Sequence, residues 1–298
     1  MSLIRMEYLA HIPRVMRMKQ WIKNGFVFLP LLFSGQCLDR GYWLASTMAF
    51  LGFSLVSSAV YIANDVLDRE RDRSHPRKCL RPIAAGQVSL NFAALLGLGC
   101  MILGIRALSG VGPGLWVWSA CYVVLQLFYN FFAKDRAIFD VVTLALGFQI
   151  RIWVGSVAIM VVPSLWMQLC VFMLSLFLGF AKRRSEQIVL KDNAVRHRAV
   201  LGDYPPALLD RLIFLFAALS ILSYAFYAGT SLVHSQLSPG IFLYSIGFVV
   251  AGIARYLYLI YVKACGEDLA EILLKDVWLF LTVLWWLYYM AFLIYIIK

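Results

Sequence analysis

Residues 43–72 read WLASTMAFLGFSLVSSAVYIANDVLDRERD, an apolar run without a single charge, followed by a dense cluster of charges. A helix needs about 20 predominantly apolar residues to cross the hydrocarbon core of a bilayer. The run at 43–63 has that length, so it predicts a membrane-spanning helix. The charges at 64–72 predict that this helix ends where the membrane meets water.

The composition extends this prediction to the whole chain. Hydrophobic residues make up 62% of the 298 residues and charged residues only 14%, whereas soluble domains usually carry about 25% charged residues. We therefore predict an all-α, polytopic membrane helical bundle formed by a single domain at 1–298, with nine transmembrane helices. The first predicted span is short and is interrupted by Pro30. The nine spans are 24–38, 43–63, 90–108, 114–132, 138–159, 164–181, 212–229, 239–261 and 277–297.

The distribution of basic residues predicts the topology. The formal net charge of +11 would suggest nucleic acid in a soluble protein, but in a membrane protein it indicates the positive-inside rule, so we expect no nucleic-acid partner. The N-terminus and the loops after the even-numbered spans carry most of the cations. This asymmetry predicts a multi-pass protein of the bacterial inner membrane with a cytoplasmic N-terminus. Residues 1–20 lack the apolar core and cleavage site of a signal peptide and predict an interfacial helix.

The charged cluster after the second predicted span has the pattern of a metal site. Asp65, Asp68 and Asp72 are spaced i, i+3 and i+7, which places them within roughly 60° of arc on one helix face. Three carboxylates so close repel one another unless a cation lies among them, and oxygen-only ligands favour Mg²⁺. Asn64 precedes them and would orient a metal ligand or a substrate oxygen. A solvated helix end with mixed charges is the simpler alternative.

The stretch after this cluster, SHPRKCLRPIAAG at 74–86, is rich in cations. Cations next to a metal site would neutralise the oxygens of a phosphate. The positive-inside rule alone also explains basic residues here, but not the neighbouring aspartates. The loops 64–89 and 182–211 are both long and polar, and we expect them to form an active site at the cytoplasmic mouth of the bundle.

These residues carry a family resemblance. NDVLDRERD after the second span resembles the Asn-Asp-x-x-Asp-x-x-x-Asp motif of the UbiA prenyltransferase superfamily. HPRKCLRPIAAG at 75–86 and RMKQWIKN at 17–24 resemble the decaprenyl-phosphate phosphoribosyltransferase branch of that family. Lys134 with Asp140, Ile150-Arg151, and Ala181-Lys182-Arg183 with Glu186 extend the resemblance over nearly the whole chain.

One departure from ordinary members of that family is informative. They carry a second aspartate-rich motif after the sixth helix, where this chain reads KRRSE at 182–186. A cationic site binds phosphates other than those bound by a second metal. In the phosphoribosyltransferase branch this is expected, because the donor is a sugar diphosphate and the lipid brings its own phosphate. Lys182 and Arg183 would hold one of these phosphates, unless they are only topology signals.

The resemblance implies a Mg²⁺-dependent transfer of phosphoribose from phosphoribosyl diphosphate to a polyprenyl phosphate lipid in the membrane. Asn64, Asp65, Asp68 and Asp72 would be catalytic, and the three aspartates would be the metal ligands. Arg151 is also a candidate because a charge within a span is costly and usually functional. The predicted substrate-binding residues are Lys23, Arg73, His75, Lys78, Arg81, Lys134, Asp140, Arg151, Lys182, Arg183 and Glu186.

Two other functions are left open by the sequence. A conventional prenyltransferase would move a polyprenyl group from its diphosphate to an aromatic acceptor, and it would use the same first motif. A transporter or lipid flippase would need polar or broken helices near the midplane, whereas the charges here gather at the cytoplasmic helix ends. The oligomeric state is also open, a homo-oligomer included.

Overall fold

The computed structural model describes residues 11–74, 78–190, 199–230, 239–263 and 269–296. Within these ranges the chain is all helical and contains no strand, which confirms the predicted class. A short helical stretch at 11–15 comes first and is followed by a 3-10 helix at Met18–Phe28. The α-helices in chain order are α1 Leu29–Phe33, α2 Arg40–Leu67, α3 Arg69–Arg73, α4 Leu90–Val111, α5 Leu115–Phe131, α6 Phe139–Ala158, α7 Leu165–Leu190, α8 Pro206–Thr230, α9 Pro239–Leu243, α10 Ile246–Tyr261, α11 Leu269–Lys275 and α12 Val277–Tyr295.

Seven helical runs are long and apolar enough to cross a membrane: α2, α4, α6, α7, α8, the run through α9 and α10, and α12. Helix α5 is also apolar but has only 17 residues. The predicted span at 24–38 is not one long α-helix, because the 3-10 helix gives way there to the five-residue α1. The described residues therefore support a multi-pass membrane bundle, and a count of nine crossings remains a prediction.

The helix starts follow from local capping. The Asp39 carboxylate accepts a hydrogen bond from the backbone N–H of Gly41 at 2.6 Å before α2, and Ser89 accepts one from Phe92 before α4. Ser164 caps α7 in the same way through Met167. Such side-chain oxygens satisfy N–H groups that have no partner within the helix.

Two helix ends lie further along the chain than predicted. Helix α2 continues to Leu67 and ends at Asp68, whose backbone leaves the helical conformation before α3 begins. Helix α7 continues to Leu190, so Lys182, Arg183 and Glu186 lie on a helix and not in a loop. The prediction of a loop beginning at 182 was wrong because charges were read as a helix end. Residues 1–10 of the predicted interfacial helix lie outside the described part of the chain.

Helix packing relies on a few close backbone approaches. A Cβ on Gly104 of α4 would lie 2.7 Å from the carbonyl oxygen of Gly52 in α2, and a Cβ on Gly155 of α6 would lie 2.0 Å from that of Val27. Only glycine permits such contacts. They hold α4 against α2, and the 3-10 helix against α6.

Candidate functional site

Asp65 and Asp72 are brought together by Arg81. Both aspartates are buried, and one Arg81 nitrogen, Nη1, lies 2.9 Å from Oδ1 of Asp65 and 2.5 Å from Oδ2 of Asp72. A single donor atom can reach both carboxylates only if their oxygens are close neighbours. The structure thus unites Asp65 and Asp72 across the break between α2 and α3, and it places Arg81 between them.

The segment after α3 is folded so that it presents Arg81. The backbone N–H of Ala85 donates to the carbonyl of Arg81 at 2.8 Å, and Gly86 adopts a φ of +73°, a conformation that favours glycine. Ile83, which is part of this turn, is buried. Arg73 anchors it to α3 by donating from Nε to the carbonyl of Ala84 at 3.2 Å, while its Nη1 pairs with Glu70 at 3.0 Å. Arg73 therefore supports the segment that carries Arg81.

Lysines and an amide complete the cluster. Lys78 Nζ lies 3.9 Å from Asp72, and Lys134 Nζ lies 3.7 Å from Asp68. Asn130 donates from Nδ2 to Oδ1 of Asn64 at 2.5 Å. Asp68 is thus turned toward Lys134, and the expectation that all three aspartates share one helix face does not hold, because α2 ends at Asp68. His75 lies outside the described residues.

Arg17 is a site residue that sequence reasoning missed. Its Nε donates to Asp65 Oδ2 at 3.1 Å, and its Nη2 contacts Oδ1 of the same carboxylate. The signal was present, because Arg17 opens the stretch RMKQWIKN, from which only Lys23 was chosen. Asn130 had no comparable signal in the sequence.

The rest of that stretch joins the 3-10 helix to α2 through hydrogen bonds. Trp21 donates from Nε1 to Ser58 at 2.9 Å, and Asn24 donates from Nδ2 to Ser54 at 2.9 Å and Ser57 at 3.1 Å. A 3-10 helix has three residues per turn, so side chains three apart lie on one face. Trp21 and Asn24 therefore point the same way, and they hold Arg17 at the end of α2.

Arg151 is buried within α6. Its Nε donates to Asn24 Oδ1 at 2.8 Å and its Nη1 donates to the carbonyl of Gly147 at 2.6 Å. The guanidinium also lies 5.5, 5.4 and 5.2 Å from the ring centroids of Phe53, Tyr122 and Phe148.

Arg183 and Asp140 form a separate, closed cluster. Arg183 donates from Nε to Asp140 at 2.7 Å and from Nη1 to Glu186 at 2.8 Å, and Tyr204 donates its hydroxyl to Asp140 at 2.7 Å. Burial, followed by the hydrogen bond to Asp140, raises the pKa of Tyr204 above its ordinary value. Arg183 is only 1% exposed. The structure therefore places Arg183, Asp140 and Glu186 together as an internal ion cluster, whereas the sequence predicted substrate ligands. Their neighbour Lys182 is half-buried on α7.

The donor set of the first cluster suits Mg²⁺. Among the described residues, no three His, Cys, Asp or Glu side chains lie close enough together to hold a metal. Mg²⁺, however, typically keeps several waters and binds through one or two carboxylates plus substrate phosphates. Asp65 and Asp72, joined through one Arg81 nitrogen, offer two such carboxylates. The expectation of a third ligand, Asp68, stays a prediction.

Comparison with known proteins places this geometry in context. Residues 28–259 match the family model described as UbiA prenyltransferase family. The chain is 30% identical over 294 residues to the decaprenyl-phosphate phosphoribosyltransferase of Corynebacterium glutamicum, covering 95% of this chain and 86% of that protein. It is 34% identical over 226 residues to the protein of the same name from Mycobacterium tuberculosis, covering 74% of each.

Solved structures share the fold. A UbiA homolog from Archaeoglobus fulgidus bound to GPP and Mg²⁺ superposes with a TM-score of 0.67 at 15% identity, covering 95% of this chain and 98% of that chain. A structure of digeranylgeranylglyceryl phosphate synthase superposes with a TM-score of 0.63 at 14% identity, covering 95% and 97%. At these identities the likeness concerns the helical architecture alone.

Proposed function

This chain belongs to the UbiA prenyltransferase family, and from that premise we propose that it is a membrane phosphoribosyltransferase. It transfers phosphoribose from phosphoribosyl diphosphate to a polyprenyl phosphate and releases pyrophosphate. The relatives named decaprenyl-phosphate phosphoribosyltransferase support this substrate pair, since they align over most of the chain.

The observation that carries the proposal is the convergence of cations on the aspartates. These cations come from three separate parts of the chain, and each contacts Asp65, Asp68 or Asp72: they are Arg17, the pair Lys78 and Arg81, and Lys134. Such a cluster suits a ligand that carries several phosphate charges and brings a divalent cation. A sugar diphosphate is a ligand of this kind.

The reaction needs little acid–base chemistry from the protein. An oxygen of the lipid phosphate forms a bond to the anomeric carbon, and the bond from that carbon to the diphosphate breaks with its electron pair leaving on pyrophosphate. A phosphate monoester has a second pKa near ~6, so the attacking oxygen is already anionic at neutral pH. No general base is required, and the chain's task is to orient the two phosphates and to neutralise the leaving group.

The residues have distinct parts in that task. Arg81 and Arg17 hold Asp65 and Asp72 in place, and Lys78 and Lys134 supply positive charge beside the departing pyrophosphate. Asn64, held by Asn130, orients an oxygen of the donor. Asp65 and Asp72, with Asp68 as the predicted third ligand, would hold Mg²⁺, which would supply electrostatic stabilisation of the leaving group. The Mg²⁺ in the Archaeoglobus fulgidus structure is consistent with this cofactor.

We further propose nine membrane crossings, a cytoplasmic N-terminus and an active site at the cytoplasmic mouth, in a bacterial inner membrane. The segment 18–33 would be the first of these nine crossings along the chain, and its length supports this proposal. Its 3-10 part extends about 22 Å at 2 Å per residue and its α-helical part about 7 Å. Together these match the roughly 30 Å of a bilayer core.

The conventional prenyltransferase is less well supported. At the place of its second aspartate motif, this chain has Arg183, which pairs with the carboxylates of Asp140 and Glu186. A transporter is not supported by family membership.

The decisive experiment supplies purified protein in nanodiscs with Mg²⁺ and one of two substrate pairs. The first pair is ribose-labelled phosphoribosyl diphosphate with polyprenyl phosphate, and the second is polyprenyl diphosphate with an aromatic acid. We expect label in an organic-extractable lipid from the first pair. Turnover of the second pair alone would overturn the substrate assignment and leave the family assignment intact.

A further inference from the structure

Tyr61 lies one helical turn before Asp65 on α2. Residues four apart on an α-helix share a face, about 6 Å apart along the axis. Arg17 bridges the two, because its guanidinium pairs with Asp65 and lies 5.3 Å from the centroid of the Tyr61 ring. Tyr61 is therefore the next side chain below the aspartate cluster on the same helix face, toward the centre of the membrane.

Positive charge surrounds the Tyr61 hydroxyl. Lys23 and Arg17 from the N-terminal segment and Arg151 from α6 all act on it electrostatically. Lys23 adjoins Asn24, which accepts the hydrogen bond from Arg151, so the segment that carries Lys23 is in direct contact with Arg151. The convergence of these cations on Tyr61 makes the layer formed by Tyr61, Lys23 and Arg151 attractive to an anion.

Arg151 also favours an anion-binding site here, because no carboxylate in the described part of the chain balances its positive charge. No carboxylate lies within ion-pair distance of it there, and its partners are an amide oxygen, a carbonyl and three aromatic faces. Beside it, the buried Tyr122 side chain lies against Arg151, with 5.4 Å from the guanidinium to the ring centroid. A buried cation without a counter-charge is costly in a membrane, and a bound anion would offset that cost.

We propose that Tyr61, together with Lys23 and Arg151, binds the phosphate of the lipid acceptor, one turn below the donor diphosphate at Asp65 and Asp72. This assignment rests on the proposed function. Tyr61 donates a hydrogen bond to a non-bridging phosphate oxygen, while the lysine and arginine neutralise the charge. Another oxygen of that phosphate then faces the anomeric carbon, whose bond to pyrophosphate breaks on the opposite side.

The depth of the layer fits the lipid better than the soluble donor. The donor enters from water and meets the aspartates at the end of α2. The lipid phosphate must approach from within the membrane, with its polyprenyl chain in the apolar region. Tyr61 is on the membrane side of Asp65, so an anion held there lies between the donor and the bilayer centre.

The test measures binding of each substrate separately, in nanodiscs, to wild type, Tyr61→Phe and Lys23→Gln. The probes are a polyprenyl phosphate, the corresponding polyprenol without phosphate, and phosphoribosyl diphosphate with Mg²⁺. Tyr258→Phe and Lys263→Gln are matched controls on and after α10. Losing one hydrogen bond to a charged group should weaken binding of the lipid phosphate about tenfold to a hundredfold in either site variant. Polyprenol and donor binding should be unchanged, and both controls should resemble wild type.

Steady-state kinetics give a second readout. The KM for polyprenyl phosphate should rise in Tyr61→Phe, while the KM for phosphoribosyl diphosphate stays constant. Thermal unfolding checks that Tyr61→Phe is folded, and this substitution removes only one oxygen. A purely structural role for Tyr61 would lower the unfolding temperature and leave the affinity of the folded protein unchanged.

Each alternative outcome is distinguishable. If wild type binds polyprenyl phosphate and turns it over, but Tyr61→Phe and Lys23→Gln bind it equally well, the inference is wrong and the proposed function stands. Weaker binding of phosphoribosyl diphosphate instead would assign this layer to the donor and also refute the inference. Failure of wild type to bind or use polyprenyl phosphate would overturn the proposed function and the inference with it.

Discussion

Arg183 on α7 donates a 2.7 Å hydrogen bond to Asp140 on α6, and both side chains are excluded from solvent. The cation that occupies the place of a second metal motif is thus already paired inside the protein. Replacing Arg183 with Met should leave Asp140 buried without its counter-charge, and breaking such a pair costs about 3–5 kcal/mol. We expect a large fall in the unfolding temperature in detergent.

A double-mutant cycle checks this interpretation. Arg183→Met with Asp140→Leu should be less destabilised than either single variant, since no buried charge of the pair is left alone. Arg211→Met, at an exposed arginine on α8, is the matched control and should unfold like wild type. If Arg183→Met lost activity with an unchanged unfolding temperature, Arg183 would instead be a substrate ligand.

The aspartates of the first motif should differ in importance. Asp65→Asn and Asp72→Asn should each reduce kcat/KM by about 100-fold or more, a usual size for lost electrostatic stabilisation. Asp68→Asn should cost less, because Asp68 is more exposed and is turned toward Lys134. Chelation with EDTA should abolish turnover and excess Mg²⁺ should restore it. Full activity in EDTA would refute the metal assignment.

Arg81 should tolerate lysine poorly. Its Nη1 contacts both Asp65 and Asp72, and a lysine has one flexible ammonium group without the planar fork of arginine. We expect Arg81→Lys to lower kcat/KM about tenfold and Arg81→Gln to lower it further. A lysine variant as active as wild type would show that charge alone suffices at this position.

Two glycines test the packing of the N-terminal segment. Gly155→Ala would place a Cβ 2.0 Å from the carbonyl oxygen of Val27, and overpacking of this kind typically costs about 1–3 kcal/mol. Gly99→Ala on α4 is the matched control, because nothing lies within 4 Å of its added Cβ. It should be neutral, or more stable by up to about 1 kcal/mol through helix propensity. Equal unfolding temperatures for both variants would contradict the close approach.

Cysteine labelling of intact cells tests the number of crossings. With the other cysteines removed, Cys79 and a cysteine placed by Ser2→Cys should both react only when reagent reaches the cytoplasm, because two proposed crossings separate them. A cysteine added after Lys298 should react from outside. If the segment 18–33 does not cross, Cys79 and the cysteine at position 2 lie on opposite sides, so this comparison decides whether that segment crosses the membrane.

The sequence by itself determined the class of the protein and most of its first site. Apolar runs of membrane-spanning length predict helices whatever their neighbours are, because the bilayer imposes the same demand on each segment. The aspartates at 65, 68 and 72 could be assigned because they are close in sequence at the end of one run. The helix break at Asp68 could not be foreseen, since the motif read as one continuous helix.

Only the tertiary structure decided which charges meet. Arg17 reaches Asp65 across 48 positions and Arg183 reaches Asp140 across 43, yet both arginines were simply cations near a helix end in the sequence. The role of an arginine depends on the carboxylate that packing brings beside it. Here packing depends on close contacts such as Gly155 against Val27 and Asn24 against Ser54 and Ser57, which join elements far apart in the chain. The same kind of residue is therefore part of the proposed substrate site at the end of α2 and part of an internal ion pair between α6 and α7.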